Sequence, residues 1–392
     1  MKILMINVVC GVKSTGRICT DLAFALEEQG HEVKIAYGRD KVPERFQKYA
    51  VKIGTDLGVA FHGIKARMWD AVGFGSVVAT KRLVEWIRQY DPDVIHLHNI
   101  HGYYINIDIL FNYLRTSGKK IIWTLHDCWS FTGHCAYFDY VRCDKWKEEC
   151  KNCSQRKGYP ARMLIDRSKE NYRTKKTLFS GIPNLSLVAP SKWLADLVTE
   201  SFLCDYPIKV IHNGIDTDAF KPFYGDILTK YDINGKIIIL GVAAVWDSRK
   251  GLDTFVQLAK NLGEKYRIIL VGLSKRQVKK MPENIIGITR TDSIQELVAL
   301  YTVADVFVNP TLEDNYPTTN LEAIACGTPV ITYDTGGSVE SAVMYGRSVS
   351  KSIEQLVEAI QEIDKIQPGI VDVDLKSTVN KYLELYNGIG DM

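Results

Sequence analysis

Apolar segments of strand length alternate with helical segments along most of the chain, and this alternation limits the possible folds more than any other sequence feature. It is typical of α/β proteins, in which helices connect the parallel strands of a sheet. The clearest helices are predicted over Arg17–Gln29, Leu252–Leu262, Ile294–Thr302 and Thr318–Ala325. Strands are predicted at Lys2–Val9, Glu32–Tyr37, Asp93–His98, Lys120–Leu125, Ser186–Ala189, Lys209–His212, Ile237–Val242, Arg267–Val271, Ile285–Thr289, Asp305–Val308 and Pro329–Tyr333.

The length of 392 residues predicts two domains, each with one Rossmann-type sheet. The pattern restarts after Phe202, where two prolines and an Asn-Gly turn follow one another within twenty residues. We therefore place the boundary near residue 205 and expect domains over 1–205 and 206–374, with the strand at 209–212 in the second. A last helix within 375–392 is expected to pack back on the first domain.

The composition is that of an ordinary globular protein, with 46% hydrophobic and 24% charged residues. The first apolar run, Ile3–Cys10, has the length of a strand and is too short to span a membrane. It also lacks the continuation of a cleavable signal. We therefore expect a cytoplasmic protein without a membrane helix.

Charge is divided unevenly along the chain, although its net value is only +3. Residues 1–205 contain 30 Lys and Arg against 22 Asp and Glu, whereas residues 206–392 contain 19 against 24. The first half is therefore expected to face an anionic partner, either a lipid-linked diphosphate or the anionic inner face of the membrane, where the protein would bind peripherally. The alternative is a solvated surface without a partner. A nucleic acid is not expected, because no basic helix rich in aromatic residues is present.

The segment 309–331 combines features that suit a nucleotide sugar. A strand leads through a polar loop into a helix, and Thr318 and Thr319 lie in the first turn, where backbone amides are free to bind an anion. Asp314 precedes the helix and Glu322 lies about one and a half turns into it. Because these carboxylates cannot bind phosphate but can accept hydrogen bonds from hydroxyl groups, the segment predicts a site for phosphate and sugar together.

Two further loops follow strands and precede helices. Arg249 and Lys250 place adjacent cations where a diphosphate could bind, and the alternative is a solvated loop. The turn from Gly11 to Arg17, which contains Gly16, has nearly the spacing of a phosphate-binding loop but lacks its Lys-Ser/Thr pair. It is expected to let a ligand approach the backbone, unless it is a plain tight turn.

Histidines follow the central strands of the first half. His96, His98 and His101 resemble a metal cluster, but no carboxylate stands at a strong ligand spacing, so a metal is not expected there. His126 lies where a parallel strand delivers side chains to a ligand, and we expect it to contact the reacting sugar.

Five of the nine cysteines lie between residues 128 and 153, in a predicted insert of the first domain. Four of them could close a tetrahedral structural zinc site, and the alternative is a set of free thiols. With four protein ligands no coordination position stays open, so catalysis is not expected there. His134 is a weaker alternative ligand. The four candidate ligands are Cys135, Cys143, Cys150 and Cys153.

With these residues placed, the chain resembles family-4-type retaining glycosyltransferases of the GT-B fold over nearly its whole length. The variant Ser14-Thr-Gly-Arg-Ile and the cysteine-rich insert resemble the branch that builds capsule, colanic-acid-like or O-antigen polysaccharides. The matching motifs are the Gly16 loop, Gly30-His-Glu-Val, Asp93-Val-Ile-His-Leu-His, Thr124-Leu-His-Asp, Asn213-Gly-Ile-Asp, Phe220-Lys-Pro, Arg249-Lys-Gly, Glu322-Ala, Cys326-Gly-Thr-Pro-Val, Gly336-Gly and Glu340.

The resemblance implies two Rossmann-like parallel-sheet domains that face each other across a cleft, and it implies roles for individual residues. His126, Lys250 and Asp314 would be catalytic, with His126 touching the transferred sugar. Arg249 and Lys250 would neutralise the leaving diphosphate, and Glu322 would bind the ribose. The other donor-binding residues would be Gly16, Arg17, Asn315, Tyr316, Thr318 and Thr319.

The sequence departs from the family pattern at two positions. The family has two glutamates eight residues apart, but Asp314 occupies the first position here, with Glu313 beside it as a possible replacement. The family also often carries an arginine six residues before the lysine, where this chain has Ala244. Arg249 is expected to take over that charge.

The predicted reaction transfers a hexose from a UDP- or GDP-linked sugar to an oligosaccharide or lipid-linked acceptor, with retained configuration. Catalysis would need no metal, because none of the predicted catalytic or donor-binding residues lies in an Asp-x-Asp motif. The departing phosphate would deprotonate the acceptor, since no second carboxylate pair is present for a double displacement. Two alternatives remain, a nucleotide-sugar 2-epimerase of the same fold and a degenerate scaffold that binds sugar nucleotides.

Overall fold

A computed structural model of the chain describes residues 1–367, 369 and 371–388. They form two compact units, one of Met1–His212 with the C-terminal residues from Thr378, and one of Asn213–Ser377. Each unit contains one sheet in which all neighbouring strands are parallel. The predicted α/β architecture with two parallel sheets is therefore confirmed.

The sheet of the first unit has seven strands in the order β3-β2-β1-β4-β5-β6-β7. Its strands are β1 (Lys2–Asn7), β2 (Glu32–Tyr37), β3 (Ala50–Lys52), β4 (Val94–Leu97), β5 (Lys120–Thr124), β6 (Leu185–Ala189) and β7 (Ile208–Val210). Its helices are α1 (Lys13–Glu28), α2 (Asp56–Trp69), α3 (Val77–Tyr90), α4 (Ile107–Thr116), α5 (Ser168–Phe179) and α6 (Lys192–Thr199).

The sheet of the second unit has six strands in the order β10-β9-β8-β11-β12-β13. Its strands are β8 (Ile237–Val242), β9 (Tyr266–Val271), β10 (Ile285–Ile288), β11 (Val306–Asn309), β12 (Val330–Tyr333) and β13 (Gly346–Val349). The remaining helices are α7 (Ile227–Lys230), α8 (Leu252–Asn261), α9 (Lys275–Val278), α10 (Ile294–Val303), α11 (Thr318–Ala325), α12 (Ser338–Ala342), α13 (Ile353–Gln361) and α14 (Leu375–Asn387).

The central strands are mostly apolar and buried because helices cover both faces of each sheet. In β1, five of the six residues are buried, and β6 is buried throughout. Such strands read as continuous apolar runs, which is why the sequence revealed them. The carboxyl ends of β1, β4 and β5 lie side by side in the first unit, and those of β8, β11 and β12 lie side by side in the second.

One predicted strand lies in the other unit. The strand predicted at 209–212 for the second domain is β7, which pairs with β6 through Leu187 and Ile208. The first unit thus extends beyond residue 205, because the chain completes this edge strand before it leaves the sheet.

The cysteine-rich insert has little regular structure and is held together by aromatic packing. Between β5 and α5 the chain forms only short 3₁₀ turns, at Trp129–Phe131, Asp139–Val141 and Lys145–Lys147. The rings of Phe131, Phe138 and Trp146 pack in tilted and edge-to-face arrangements at centroid distances of 4.9 to 6.2 Å and join the core of the first unit.

The last helix contacts the first sheet. From α14, the Tyr386 hydroxyl lies 2.7 Å from Nδ1 of His96 in β4, and the Tyr382 hydroxyl lies 2.9 Å from Oγ1 of Thr124 in β5. Both pairs are buried, so α14 closes one side of this sheet.

Among the described residues, no helix is long and apolar enough to cross a membrane.

Candidate active site

Lys250 and Asp314 form an ion pair in the second unit, although 64 residues separate them in sequence. Both side chains are largely shielded from solvent, with 22% of Lys250 and 14% of Asp314 exposed. Burial by itself would raise the pKa of the Asp314 carboxyl. The nearby cations of Lys250 and Arg249 lower it by more, so the pKa lies below its usual value. The carboxylate is therefore charged at neutral pH and holds the Lys250 ammonium in place.

The loop that carries Arg249 and Lys250 is attached to the loop after β11. The Arg249 guanidinium donates to the Glu313 carbonyl at 2.5 Å, and the Leu312 amide donates back to the Arg249 carbonyl at 2.7 Å. Gly251, which precedes α8, has φ +76°, and a Cβ atom there would lie 2.3 Å from the Pro310 carbonyl oxygen. Only glycine permits this close approach, so the two loops pack directly against each other.

A glycine turn after β12 supports Asp314 from its backbone side. The Gly337 amide donates to the Asp314 carbonyl at 3.0 Å. Gly336 has φ +54°, and a Cβ atom there would lie 2.1 Å from the same carbonyl oxygen. Gly336 is thus required for packing against the loop that presents Asp314, and Gly337 contributes its backbone amide.

The N-terminus of α11 lies four residues after Asp314 and offers unpaired amides. Pro317 is the N-cap, and the helix begins at Thr318. Among the described residues, no acceptor is within hydrogen-bond reach of the Thr318 and Thr319 amides, whereas the Asn320 amide donates to the Pro317 carbonyl at 3.1 Å. Together with the helix dipole, these amides can bind an anion.

Two of the predicted donor residues lie between Asp314 and the helix. Asn315 and Tyr316 are both buried. The Asn315 amide donates to the Asp314 carboxylate at 3.0 Å, and the Tyr316 carbonyl accepts from Nδ2 of Asn213 at 3.2 Å. These bonds fix the backbone that leads into α11.

Glu322 is almost fully buried within α11, with 2% of its surface exposed. Its Oε2 accepts a hydrogen bond from the Tyr301 hydroxyl of α10 at 2.9 Å. This bond fixes the rotamer of the carboxylate that was predicted to bind ribose hydroxyls.

A buried polar network beneath α11 was missed from the sequence. Nδ2 of Asn309 donates to Oδ1 of Asn320 at 2.8 Å, and Nδ2 of Asn320 donates to the Ser341 hydroxyl at 2.9 Å. These bonds join β11, α11 and α12 and set the direction of the α11 N-terminus. A buried Asn within a predicted helix was the available signal, because such residues need partners.

In the first unit, His126 follows β5 and contacts His98 at the end of β4. Nε2 of His126 lies 3.0 Å from Nδ1 of His98, and the two rings are stacked. Burial lowers the pKa of His126 to about 4, although Asp127 acts in the opposite direction. His126 is therefore a neutral imidazole at physiological pH, able to accept or donate one hydrogen bond to a sugar hydroxyl.

The neighbouring histidines are part of a buried hydrogen-bond network. Nε2 of His96 lies 2.8 Å from the Thr124 hydroxyl. Burial lowers the pKa of His96 to about 3. His101 pairs instead with Asp127, at 2.8 Å. In the described part of the chain, no group of three or more His, Cys, Asp or Glu side chains is arranged to hold a metal.

Gly16 and Arg17 lie in the first turn of α1, in the first unit. The Gly16 carbonyl accepts from the Gly11 amide at 3.0 Å, and a Cβ atom on Gly16 would lie 2.9 Å from the Val9 side chain. Gly16 is buried, so the tight packing of the turn accounts for a glycine there. Arg17 is half-buried.

The four predicted zinc ligands approach one another in the insert. Cys135 and Cys153 share a hydrogen bond, and Cys143 and Cys150 are close enough to interact electrostatically with them. Because no metal-binding arrangement is present among the described residues, zinc stays a prediction. His134, in the same segment, is buried, with Nδ1 at 2.5 Å from the Asp70 carboxylate and no hydrogen-bond partner for Nε2. Metal-binding histidines commonly have such a carboxylate partner.

Comparisons with known proteins agree with this architecture. Residues 15–219 match the family model "Glycosyltransferase Family 4", which covers more than half of the chain, and residues 236–365 match "Glycosyl transferases group 1". The chain is 26% identical over 400 residues to WcaC of Escherichia coli K12, a glycosyl transferase assigned to colanic acid biosynthesis, with 97% of this chain and 94% of WcaC covered.

Two solved structures show the same fold at low sequence identity. Sucrose-phosphate synthase from Thermosynechococcus elongatus has a TM-score of 0.68 and 16% identity, with 100% of this chain and 97% of that chain covered. Anabaena HepE in complex with UDP and glucose has a TM-score of 0.63 and 12% identity, with 100% and 95% covered. The chain therefore has the GT-B fold and belongs to glycosyltransferase family 4.

Proposed function

We propose that the chain transfers a sugar from a nucleoside-diphosphate sugar to an oligosaccharide acceptor in the synthesis of a bacterial surface polysaccharide. The observation that carries the proposal is the Lys250–Asp314 ion pair beside the unpaired amides of Thr318 and Thr319. The cation and the amides favour a diphosphate, and the carboxylates favour hydroxyl groups. A nucleotide sugar carries both. The similarity to WcaC supports a polysaccharide product.

On the donor side, each charged group has a distinct part. Lys250 and Arg249 neutralise the diphosphate as it leaves, and the backbone from Asn315 to Thr319 holds phosphate and sugar. Glu322 accepts hydrogen bonds from the ribose, in the rotamer that Tyr301 fixes. The base is uracil or guanine, and the HepE complex with UDP supports uracil.

The chemical step retains the configuration at the anomeric carbon. The acceptor hydroxyl attacks from the face that the diphosphate leaves, so the bond from C1 to the acceptor oxygen forms as the bond from C1 to the phosphate oxygen breaks. The acceptor proton passes to the departing phosphate. A double displacement would need a free carboxylate as nucleophile. Asp314 is instead paired with Lys250, and Glu322 accepts from Tyr301.

His126 acts on the side of the transferred sugar. As a neutral imidazole packed against His98, it can hold one sugar hydroxyl at a fixed angle without adding charge to the reaction centre. Such positioning raises the rate because the reacting atoms are held near their transition-state geometry. The cations around the diphosphate supply the electrostatic stabilisation, so we expect turnover without Mg²⁺ or Mn²⁺.

The cysteine cluster is proposed to bind a structural zinc ion after rotation of its side chains. The nearby Lys175 is 1% exposed, and its Nζ donates to the Trp129 carbonyl at 2.5 Å. Burial lowers the pKa of Lys175 to about 7, because a charged ammonium is costly in the interior. Zinc with four thiolates has a net charge of −2, which would favour the protonated form of Lys175 and fix the irregular insert.

Calorimetric titration of UDP-glucose and GDP-mannose tests the donor site. One donor is expected to bind the wild-type protein, and Glu322→Ala is expected to weaken it by about 10-fold or more, since hydrogen bonds to a charged group contribute about 1.5–3 kcal/mol. Glu264→Ala, an exposed glutamate of the same unit, serves as the control. If no nucleotide sugar binds, the transferase proposal is wrong and a degenerate scaffold is favoured.

The reaction itself is tested by nuclear magnetic resonance of the products. An α-configured glycoside formed from an α-configured donor, in the presence of a chelator, supports retention and metal independence. Conversion of the donor sugar to its 2-epimer without an acceptor would show the epimerase instead.

A further inference from the structure

Helix α2 exposes an apolar stripe on its outer side. Leu57, Phe61 and Ile64 are 74%, 72% and 59% exposed, and their spacing places them on one face of the helix. The opposite face buries His62 and Ala66 against the first unit. An amphipathic helix normally turns its apolar side inwards. Here the inner contact is small, and the larger apolar surface has no partner among the described residues.

Neighbouring segments enlarge this stripe. The amides of Met163 and Ile165 donate to carbonyls in the last turn of α2 at 2.7 and 3.4 Å, which places exposed Met163, Leu164 and Ile165 beside it. Val77 and Val78 are exposed at the start of α3. Ten of the twenty exposed large hydrophobic side chains in the described part of the chain lie in 57–78 and 159–165. We call the surface formed by α2, the first turn of α3 and residues 163–165 the α2–α3 face.

The α2–α3 face also carries exposed cations. Lys65 and Arg67 lie on α2, and Lys81 and Arg82 lie on α3. The acidic Asp56 is paired with Lys52 at 2.9 Å. Basic side chains around exposed apolar ones match the surface of an anionic bilayer, which offers phosphate charges and hydrocarbon within a few ångströms of each other.

A groove of about 750 Å³ lies between α2 and α3 and is lined by residues that include Ile53, Val59, Phe61, Arg82 and Tyr104. Its floor is rigid, because Nε2 of His62 accepts from the Gly75 amide at 3.0 Å and Nδ1 lies 2.9 Å from the Ser76 hydroxyl.

Tyr104, in the lining of the groove, contacts the loop after β4. The Tyr104 hydroxyl donates to the Asn99 carbonyl at 2.8 Å, and Asn99 lines the small cavity that contains His98 and His126.

We propose that the α2–α3 face docks on an anionic lipid bilayer, with the apolar stripe of α2 among the lipid chains and Lys65, Arg67, Lys81 and Arg82 at the phosphates. The docking surface follows from the exposed apolar and basic side chains of the α2–α3 face alone. Its purpose, to bring a lipid-linked acceptor to His126, rests on the proposed function.

Flotation with vesicles of phosphatidylglycerol and phosphatidylcholine tests the proposal without any substrate. Wild-type protein is expected to bind the anionic vesicles and to leave them as salt is raised. Phe61→Ser with Ile64→Ser is expected to reduce binding about 10-fold or more, because these side chains lose burial in hydrocarbon. Lys65→Glu with Arg82→Glu is expected to reduce it at least 25-fold, at about 1 kcal/mol per basic residue removed. The matched controls are Phe24→Ser on α1, where Phe24 is 50% exposed, and Lys192→Glu on α6.

Three results would overturn the proposal. The first is no binding of wild type to anionic vesicles at low salt, and the second is equal binding by the variants and the controls. The third is a wild-type dimer in sedimentation that Phe61→Ser dissociates, since the face would then join two copies of the chain. Donor titration of the same variants separates the two proposals: retained donor binding with lost vesicle binding supports docking, and lost donor binding in wild type refutes only the function.

Discussion

Replacing Lys250 distinguishes a cation that binds the donor from one that only neutralises Asp314. Lys250→Met removes the ion pair and leaves the shielded Asp314 carboxylate with only the more weakly interacting Arg249 as a nearby cation. If Lys250 also binds the diphosphate, the loss of one charge-assisted hydrogen bond costs about 1.5–3 kcal/mol. Donor affinity should then fall by roughly 10- to 150-fold, at 1.4 kcal/mol per factor of ten. The rate constant kcat should fall by about 10²–10³, because charge on the leaving phosphate is greatest in the transition state.

The double variant Lys250→Met with Asp314→Asn makes the experiment decisive. It removes both charges, so the free energy of unfolding, measured with urea, should recover most of what Lys250→Met loses. Donor binding, measured by calorimetry, should not recover. Lys230→Met is the control, because Lys230 pairs with Asp292 at 3.0 Å in the same unit and is not expected to affect the donor. Wild-type affinity in the double variant would refute the reasoning, since Lys250 would then act only through Asp314.

Three further predictions follow from packing, burial and the cysteine cluster. Gly336→Ala places a Cβ atom 2.1 Å from the Asp314 carbonyl oxygen, so donor affinity and the melting temperature Tm should both fall, whereas Gly235→Ala, with a similar φ of +70° and open space, should lower Tm only slightly. Burial and His126 lower the pKa of His96 to about 3, so the unfolded state takes up the proton first as the pH falls below about 6.5. His96 should therefore account for about 2 kcal/mol of the fall in the free energy of unfolding between pH 7 and pH 5, in addition to the contributions of the other buried histidines, and an equal fall in His96→Gln would contradict this. Metal analysis of protein purified under reducing conditions should find about one zinc per chain, lost in Cys150→Ser, with the exposed Cys204→Ser as the control.

The sequence revealed the central strands but not the edges of the sheets. β3 and β13 were missed, and their residues are half-buried or exposed along their whole length. An edge strand has a neighbour on one side only, so it needs no continuous apolar run. β7 was detected as a strand but placed in the wrong domain, because a local pattern does not specify which sheet an edge strand joins.

The sequence also suggested individual site residues, whose roles stay predictions, but it did not reveal their contacts. Lys250 and Asp314 were each expected to be functional, since cations and carboxylates near strand ends suit a diphosphate and a sugar. Their direct pairing depends on how two loops meet, and so does the contact between His98 and His126. The requirement for Gly336 likewise comes from a carbonyl group that is distant in sequence.

The packing around Asp314 bears on the family's first acidic position. Glu313 is fully buried, and its carbonyl accepts from both Arg249 and Thr311. To replace Asp314, Glu313 would have to give up these bonds and its burial, and the Gly336-Gly337 turn would lose the carbonyl against which it packs. Asp314 already meets Lys250 without any such change. A shift by one residue is therefore unfavourable, and we expect the shorter carboxylate at position 314 to be the one that acts beside the proposed diphosphate.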